Sequence, residues 1–211
     1  QLRQVLRLEV GQSVVALDNA GRACRVELVE VGSKRVMGQV REDYASLPDE
    51  PALKLALYVS LTQREKFEWI LQKGTELGVS SFIPVIFSRS LAQAAREGEA
   101  RRERWESILR EAAEQCERRR IPHLGAALKF RDALSHARQA NQALVVLWED
   151  EPARSLKEAL SLAGGLERAA FFIGPEGGIT PEEIELARGQ GCLTATLGRR
   201  VLRVETAALA A

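Results

Sequence analysis

The segment Gly174-Pro175-Glu176-Gly177-Gly178 constrains this chain more than any other. An apolar run, Ala169-Ala170-Phe171-Phe172-Ile173, leads into it, and Thr180-Pro181-Glu182-Glu183 follows. A short apolar run bounded by turn residues reads as a buried strand. Thr180 and Glu183 have the spacing of a capping box, with Pro181 at the first helical position. Strand, glycine loop and helix in that order put the loop at the carboxyl end of a strand, where open α/β sheets place their ligands. The glycines allow close backbone approach and positive φ, and the proline stiffens the turn. A second glycine loop, Leu197-Gly198-Arg199-Arg200-Val201-Leu202-Arg203, comes soon after and runs on to Glu205-Thr206-Ala207. Two such loops, each after an apolar run, point to one small-molecule site built from both. No G-x-G-x-x-G and no G-x-x-x-x-G-K-[ST] occurs, which disfavours a dinucleotide fold and a P-loop.

The rest of the chain divides by pattern. Residues 1 to about 45 read as β, with strands at Val14–Leu17, Cys24–Val29 and Val36–Val40 and a turn at Asp18–Gly21. Regular short strands with glycine turns suggest a small barrel. Ser46-Leu47-Pro48-Asp49-Glu50-Pro51 has the composition of a linker. Beyond it, strands at Leu53–Val59, Phe82–Phe87, Leu144–Trp148, Ala169–Ile173 and Leu193–Leu197 alternate with helices, which predicts an α/β fold with a parallel sheet. The helices include Glu65–Leu77, ending near Gly78, and 100–120, where Trp105, Ile108, Leu109, Ala112 and Cys116 form an apolar stripe.

Composition excludes several classes. A formal net charge of +1 means that any nucleic-acid surface must be a local patch. Cys24, Cys116 and Cys192 are far apart and odd in number, so no disulfide framework or metal spacing emerges. No apolar run approaches the roughly 20 residues of a membrane span, and no signal peptide is visible. The chain starts at Gln1 without methionine and stops inside an apparent helix at Ala211, so terminal elements are expected to lie outside it.

Both loops resemble the cofactor motifs of the SPOUT methyltransferases: Ile173 to Ile184 (IGPEGGITPEEI) and Leu197 to Leu209 (LGRRVLRVETAAL). They are most similar to the ribosomal RNA small-subunit methyltransferase E group, which methylates N3 of a uridine in 16S rRNA. Gln72 to Pro84 (QKGTELGVSSFIP), Glu111 to Pro122 (EAAEQCERRRIP) and Val5-Leu6-Arg7-Leu8 before Gly11 fit the same group in the same order. The resemblance implies a SPOUT-type sheet with a C-terminal trefoil knot over 52–211, and a PUA-like RNA-binding β-barrel domain over 1–48. It also implies S-adenosylmethionine as cofactor, 16S rRNA or the small ribosomal subunit as partner, a homodimer, and a cytoplasmic location without membrane or metal. It assigns Gly174, Pro175, Gly177, Gly178, Leu197, Gly198, Val201, Leu202 and Arg203 to the cofactor, with Leu147, Trp148 and Glu149 as a further wall. Two positions depart from the family pattern: Val204 stands where a threonine is usual, and Gln1 where a histidine is common.

Uracil N3 carries a proton and is a poor nucleophile at neutral pH. Its methylation needs proton removal and stabilisation of negative charge on the uracil oxygens. Arg203 and Glu205 are the catalytic candidates, Arg203 for the anion or an RNA phosphate, and Glu205 for a proton or hydrogen bond. The alternative is that both orient the loop. Arg3, Arg7, Arg199 and Arg200 are the RNA-binding candidates. Arg118-Arg119-Arg120 is expected to end the long helix and meet its dipole. Arg64, Lys66 and Lys73 suit either RNA contact or a solvated helix face. His123 and His136 have no ligand partners at useful spacing. Two other functions remain open: a non-catalytic RNA-binding or ribosome-assembly protein of the same fold, and a SPOUT enzyme acting on tRNA.

Overall fold

The computed structural model describes residues 8–33, 35–44, 50–90, 99–140, 143–152, 154–163 and 167–211. These fall into two compact units. The first takes the described part of Gln1–Glu50 together with Ala113–Ile121, and the second takes Pro51–Ala112 and Pro122–Ala211.

In the first unit, β1 (Ser13–Leu17), β2 (Ala23–Val31) and β3 (Val36–Asp43) form a three-stranded antiparallel sheet in that order. The β1–β2 turn is set by its side chains. The Asp18 carboxylate accepts from the N–H groups of Ala20 and Arg22 at 2.7 and 2.9 Å, while Asn19 and Gly21 take φ of 58° and 105°. These backbone donors hold the Asp18 carboxyl below its usual range.

The second unit is an α/β layer built on a parallel sheet. Its strands are β4 (Lys54–Ser60), β5 (Ser81–Ile86), β6 (His123–Leu124), β7 (Leu128–Lys129), β8 (Ala143–Leu147), β9 (Arg168–Ile173) and β10 (Leu193–Ala195). They run β10-β8-β9-β4-β5-β6, with β7 also paired to β5, and every pairing is parallel. The helices are α1 (Arg64–Glu76), α2 (Glu99–Gln115), α3 (Phe130–Ala140), α4 (Leu156–Ala163), α5 (Pro181–Gly189) and α6 (Val204–Ala210).

Strands covered on both faces read as continuous apolar runs. All five residues of β8 are buried, as are the last five of β4 and of β9. On one face Tyr58 stacks on Phe172 at 4.6 Å, Phe172 meets the edge of Phe130 at 5.9 Å, and residues of α3 and α5 close the cluster. α1 comes so close to β5 that a Cβ on Gly74 would lie 2.7 Å from the Phe82 ring. Phe67 of α1 packs on Trp105 of α2 at 4.5 Å.

The expected strands appear within three residues of their bounds, and one helix and one strand need correction. The helix expected over 100–120 stops at Gln115. Glu117 takes φ 59°, and the Arg118 N–H closes back on the Ala113 carbonyl at 2.9 Å. Arg118-Arg119-Arg120 therefore lies beyond the helix. The Arg118 side chain pairs with Glu50 at 2.5 Å, and Arg120 donates to the Ala20 carbonyl at 2.6 Å. The strand expected over Leu193–Leu197 ends at Ala195 because the chain turns at Thr196. Its hydroxyl accepts from the Gly198 N–H and donates to the Gly198 carbonyl, and Gly198 takes φ 111°. The first unit shows a three-stranded sheet over its described residues, where the sequence suggested a barrel.

Candidate active site

Strands β10, β8 and β9 are neighbours and parallel, so the loops after them meet at one end of the sheet. They enclose a cavity of about 500 Å³, within the usual range for a small-molecule site. Leu147 ends β8, and Trp148 and Glu149 follow it. Ile173 ends β9, and Gly174, Pro175 and Glu176 follow it. Thr196 to Gly198 and Arg200 to Arg203 come from the loop after β10, and Val204 opens α6. Lys66 of α1 and Ala207 of α6 complete the wall.

The walls match a ligand with a flat apolar part and a polar end. Leu147, Ile173, Leu197, Val201, Leu202, Val204 and Ala207 supply hydrocarbon surface. Val201 is 83% exposed, so the cavity is open on its side. Val204, where the family pattern has threonine, is buried against the cavity. Trp148 is held in place by its backbone N–H, which donates to the Ala195 carbonyl at 2.9 Å, and by the Arg188 guanidinium 5.5 Å from its ring centre.

The loop after β9 is braced from below. The carboxylate of buried Glu183 accepts from the Ser88 N–H at 2.8 Å, the Ser88 hydroxyl at 3.0 Å and the Thr180 N–H at 3.1 Å. Thr180 completes the capping box by accepting from the Glu183 N–H. Arg89 donates to the Gly177 carbonyl at 2.9 Å.

Of the expected cofactor residues, Leu147, Trp148, Glu149, Gly174, Pro175, Leu197, Gly198, Val201, Leu202 and Arg203 line the cavity. Gly177 and Gly178 lie in the same loop but off this lining. These glycines admit other parts of the protein. A Cβ at Gly178, where φ is 75°, would sit 2.5 Å from a Glu149 carboxylate oxygen, and one at Gly177 would sit 3.2 Å from the Arg89 Cβ. Gly174 lines the cavity, yet its missing Cβ also makes room for Ile179, 2.4 Å away. Arg203 lines the cavity with an exposed side chain that makes no ion pair to a described residue. Glu205 lies in the first turn of α6, off the lining, with its Oε2 buried and without a hydrogen-bond partner among the described residues. Arg200 is on the wall and Arg199 is exposed beside it, while Arg3 and Arg7 lie outside the described residues.

Sequence reasoning missed the partnership of Lys66 and Glu176. The two side chains form an ion pair on the cavity wall, and the Thr62 hydroxyl reaches the same Glu176 oxygen at 3.5 Å. Glu176 was visible only as part of the glycine loop, and nothing local marks a partner 110 residues away. Arg64 pairs with Glu68 and Lys73 with Glu76 along α1, both at 2.8 Å. Among the described residues no group of His, Cys, Asp and Glu could hold a metal, and no helix is long and apolar enough to cross a membrane.

A parallel α/β unit with a cofactor-sized cavity over the carboxyl ends of its strands matches a known class: a family model described as an RNA methyltransferase domain covers residues 49–211. The chain is 31% identical over 209 residues to the ribosomal RNA small subunit methyltransferase E of Bacillus subtilis (strain 168), covering 97% of this chain and 81% of that protein. It is 30% identical over 212 residues to the protein of the same name from Mycobacterium bovis (strain ATCC BAA-935 / AF2122/97), covering 98% and 79%. The crystal structure of a ribosomal RNA small subunit methyltransferase E from Neisseria gonorrhoeae bound to S-adenosyl methionine matches with a TM-score of 0.84 at 30% identity, covering 99% of this chain and 84% of that one. The chain belongs to the ribosomal RNA small subunit methyltransferase E family.

Proposed function

We propose that this protein transfers a methyl group from S-adenosylmethionine to N3 of a uridine in 16S ribosomal RNA. The observation that carries this reading is the single cavity built from the loops after β8, β9 and β10, in a chain of this family. Its apolar walls suit an adenine, and the backbone at Gly198, where a Cβ would meet nothing within 4 Å, leaves a base edge unobstructed. When bound, S-adenosylmethionine supplies an electrophilic methyl group carried on a sulfonium.

The residues of this chain have the remaining tasks. Leu147, Trp148, Glu149, Gly174, Pro175, Leu197, Gly198, Val201 and Leu202 hold the cofactor. Arg203 stands on the wall with no competing ion partner among the described residues, so its guanidinium is available for the charge that grows on the uracil oxygens. Glu205 remains the candidate proton acceptor, because its buried carboxylate oxygen without a partner among the described residues is an unspent acceptor near the site. Arg3, Arg7, Arg199 and Arg200 belong to the RNA-binding surface in this reading. N3 lies on the pairing edge, so the target base must be unpaired or extruded.

The finer architecture follows the family. We read residues 1–48 as a PUA-like RNA-binding barrel and 52–211 as the methyltransferase domain with a trefoil knot. Supporting the knot, β10 lies at the sheet edge while α6, which follows it, packs on α1 and on the central strands β4 and β9. The protein acts as a homodimer in the cytoplasm in this reading. Leu162 and Val201, 67% and 83% exposed, offer apolar surface near the knot for a second copy.

The test is nucleoside mass spectrometry of rRNA and tRNA from a strain lacking the protein. Loss of N3-methyluridine from 16S rRNA, restored by the gene, supports the reading. Unchanged 16S rRNA with a lost tRNA modification would replace it with the tRNA enzyme. No lost modification would leave a non-catalytic role.

A further inference from the structure

A second pocket, of about 250 Å³, opens at the amino ends of the central strands. Lys54 and Arg168, the first residues of β4 and β9, line it with Ser80, Ser81, His123 and His136. Lys54 and Arg168 are register partners on neighbouring parallel strands, so their backbones lie about 4.8 Å apart. Like charges placed directly opposite repel. No carboxylate lines the pocket to offset them, and neither cation is ion-paired to a described residue. The pocket also collects polar groups already fixed in place. The Tyr58 hydroxyl meets His136 Nδ1 at 2.7 Å, and the Ser80 hydroxyl donates to the Leu55 carbonyl at 2.8 Å. If Tyr58 donates to Nδ1, the ring proton sits on Nε2, a further donor.

We propose that this pocket is an anion site that binds a phosphate group, separate from the cofactor cavity at the other end of the strands. Two adjacent cations with histidine donors and the Ser81 hydroxyl match a tetrahedral oxyanion, which takes several charge-assisted hydrogen bonds at once. A phosphate there removes the repulsion that the Lys54–Arg168 register creates. The group can be a backbone phosphate of the RNA or free inorganic phosphate. The first source rests on the RNA substrate proposed above, and the second does not.

Titration of the full-length protein with inorganic phosphate at constant ionic strength tests the site, read by the NMR ring resonances of His123 and His136. Saturable shifts with phosphate but not chloride are expected, at least ten-fold weaker in Lys54→Gln/Arg168→Gln. Unmoved histidine resonances, or equal shifts in the double variant, would overturn the site. Unchanged S-adenosylmethionine affinity in the variant shows that its fold is intact. Binding of a 16S rRNA fragment at several salt concentrations then assigns the source. A log–log salt slope shallower by about one in the variant assigns the phosphate to RNA. An unchanged slope with phosphate shifts present assigns it to the free ion, and an unchanged slope without those shifts refutes the site.

Discussion

Glu183 grips Ser88 twice, taking its backbone N–H at 2.8 Å and its hydroxyl at 3.0 Å, although the two residues are 95 positions apart. The same buried carboxylate caps α5, so one side chain ties the segment after β5 to the helix that follows the cofactor loop. Glu183→Ala removes three part-buried hydrogen bonds, two from Ser88 and one from Thr180. Each such bond contributes about 0.5–1.5 kcal/mol net. Urea unfolding is expected to show a loss of about 2–4 kcal/mol, against under about 1 kcal/mol for exposed Glu182→Ala. Equal losses in both variants would remove Glu183 as the brace.

Gly178 and Gly177 should respond differently to the same added methyl. Gly178→Ala forces a side chain into φ 75° and drives its Cβ to 2.5 Å from the Glu149 carboxylate, which lines the cavity. The left-handed backbone alone costs about 1–2 kcal/mol. Calorimetry is expected to show S-adenosylmethionine affinity reduced several-fold in Gly178→Ala and changed less in Gly177→Ala, whose Cβ meets only Arg89 at 3.2 Å. A larger effect at Gly177 would reverse the assignment.

Arg203 should act on the rate. A guanidinium beside a uracil oxygen favours the developing anion over the neutral base. In single turnover with saturating cofactor and RNA, Arg203→Ala is expected to lose about 10²–10³ in rate. Arg203→Lys should recover little, because it lacks the planar fork. A normal single-turnover rate with weakened S-adenosylmethionine binding would move Arg203 to the cofactor wall alone.

Much of this site was legible because its signals are local. The capping box at Thr180 and Glu183, the apolar run Ala169–Ile173 and the two glycine loops each declare themselves within a dozen residues. What stayed hidden is long-range. Lys66 gives no sign along α1 that it will meet Glu176, and Ser88 gives none that it will meet Glu183. The glycines were legible as close approaches, but the sequence could not say whether ligand or protein would approach. At Gly178 a Cβ would meet the Glu149 carboxylate. The helix over 100–120 was read too long because its apolar stripe runs to Cys116, and no glycine or proline marks the left-handed turn at Glu117.

Glu68 gives a pH signature. The hydrogen bond from Arg104 comes first, and Arg64 adds to it, so its carboxyl is held below the ordinary glutamate range. A lowered folded-state value stabilises the protein above the unfolded glutamate pKa of about 4.3, and that contribution is lost as pH falls through the folded value. Both arginines are more than half exposed, so the contribution is under about 1 kcal/mol. Unfolding free energies between about pH 6 and pH 3 should fall less steeply in Glu68→Gln than in the parent. Parallel curves would show that the pairs contribute nothing.

The central claim is that one cavity over the carboxyl ends of β8, β9 and β10 binds S-adenosylmethionine for methyl transfer to uridine N3. The most direct measurement combines purified full-length protein, methyl-labelled S-adenosylmethionine and small ribosomal subunits from a strain lacking the enzyme, followed by nucleoside mass spectrometry. The account predicts labelled N3-methyluridine in 16S rRNA from the parent protein, and none from a variant whose cavity is filled by Gly198→Trp. Label at another atom or in another RNA, or undiminished transfer by the filled variant, would contradict it.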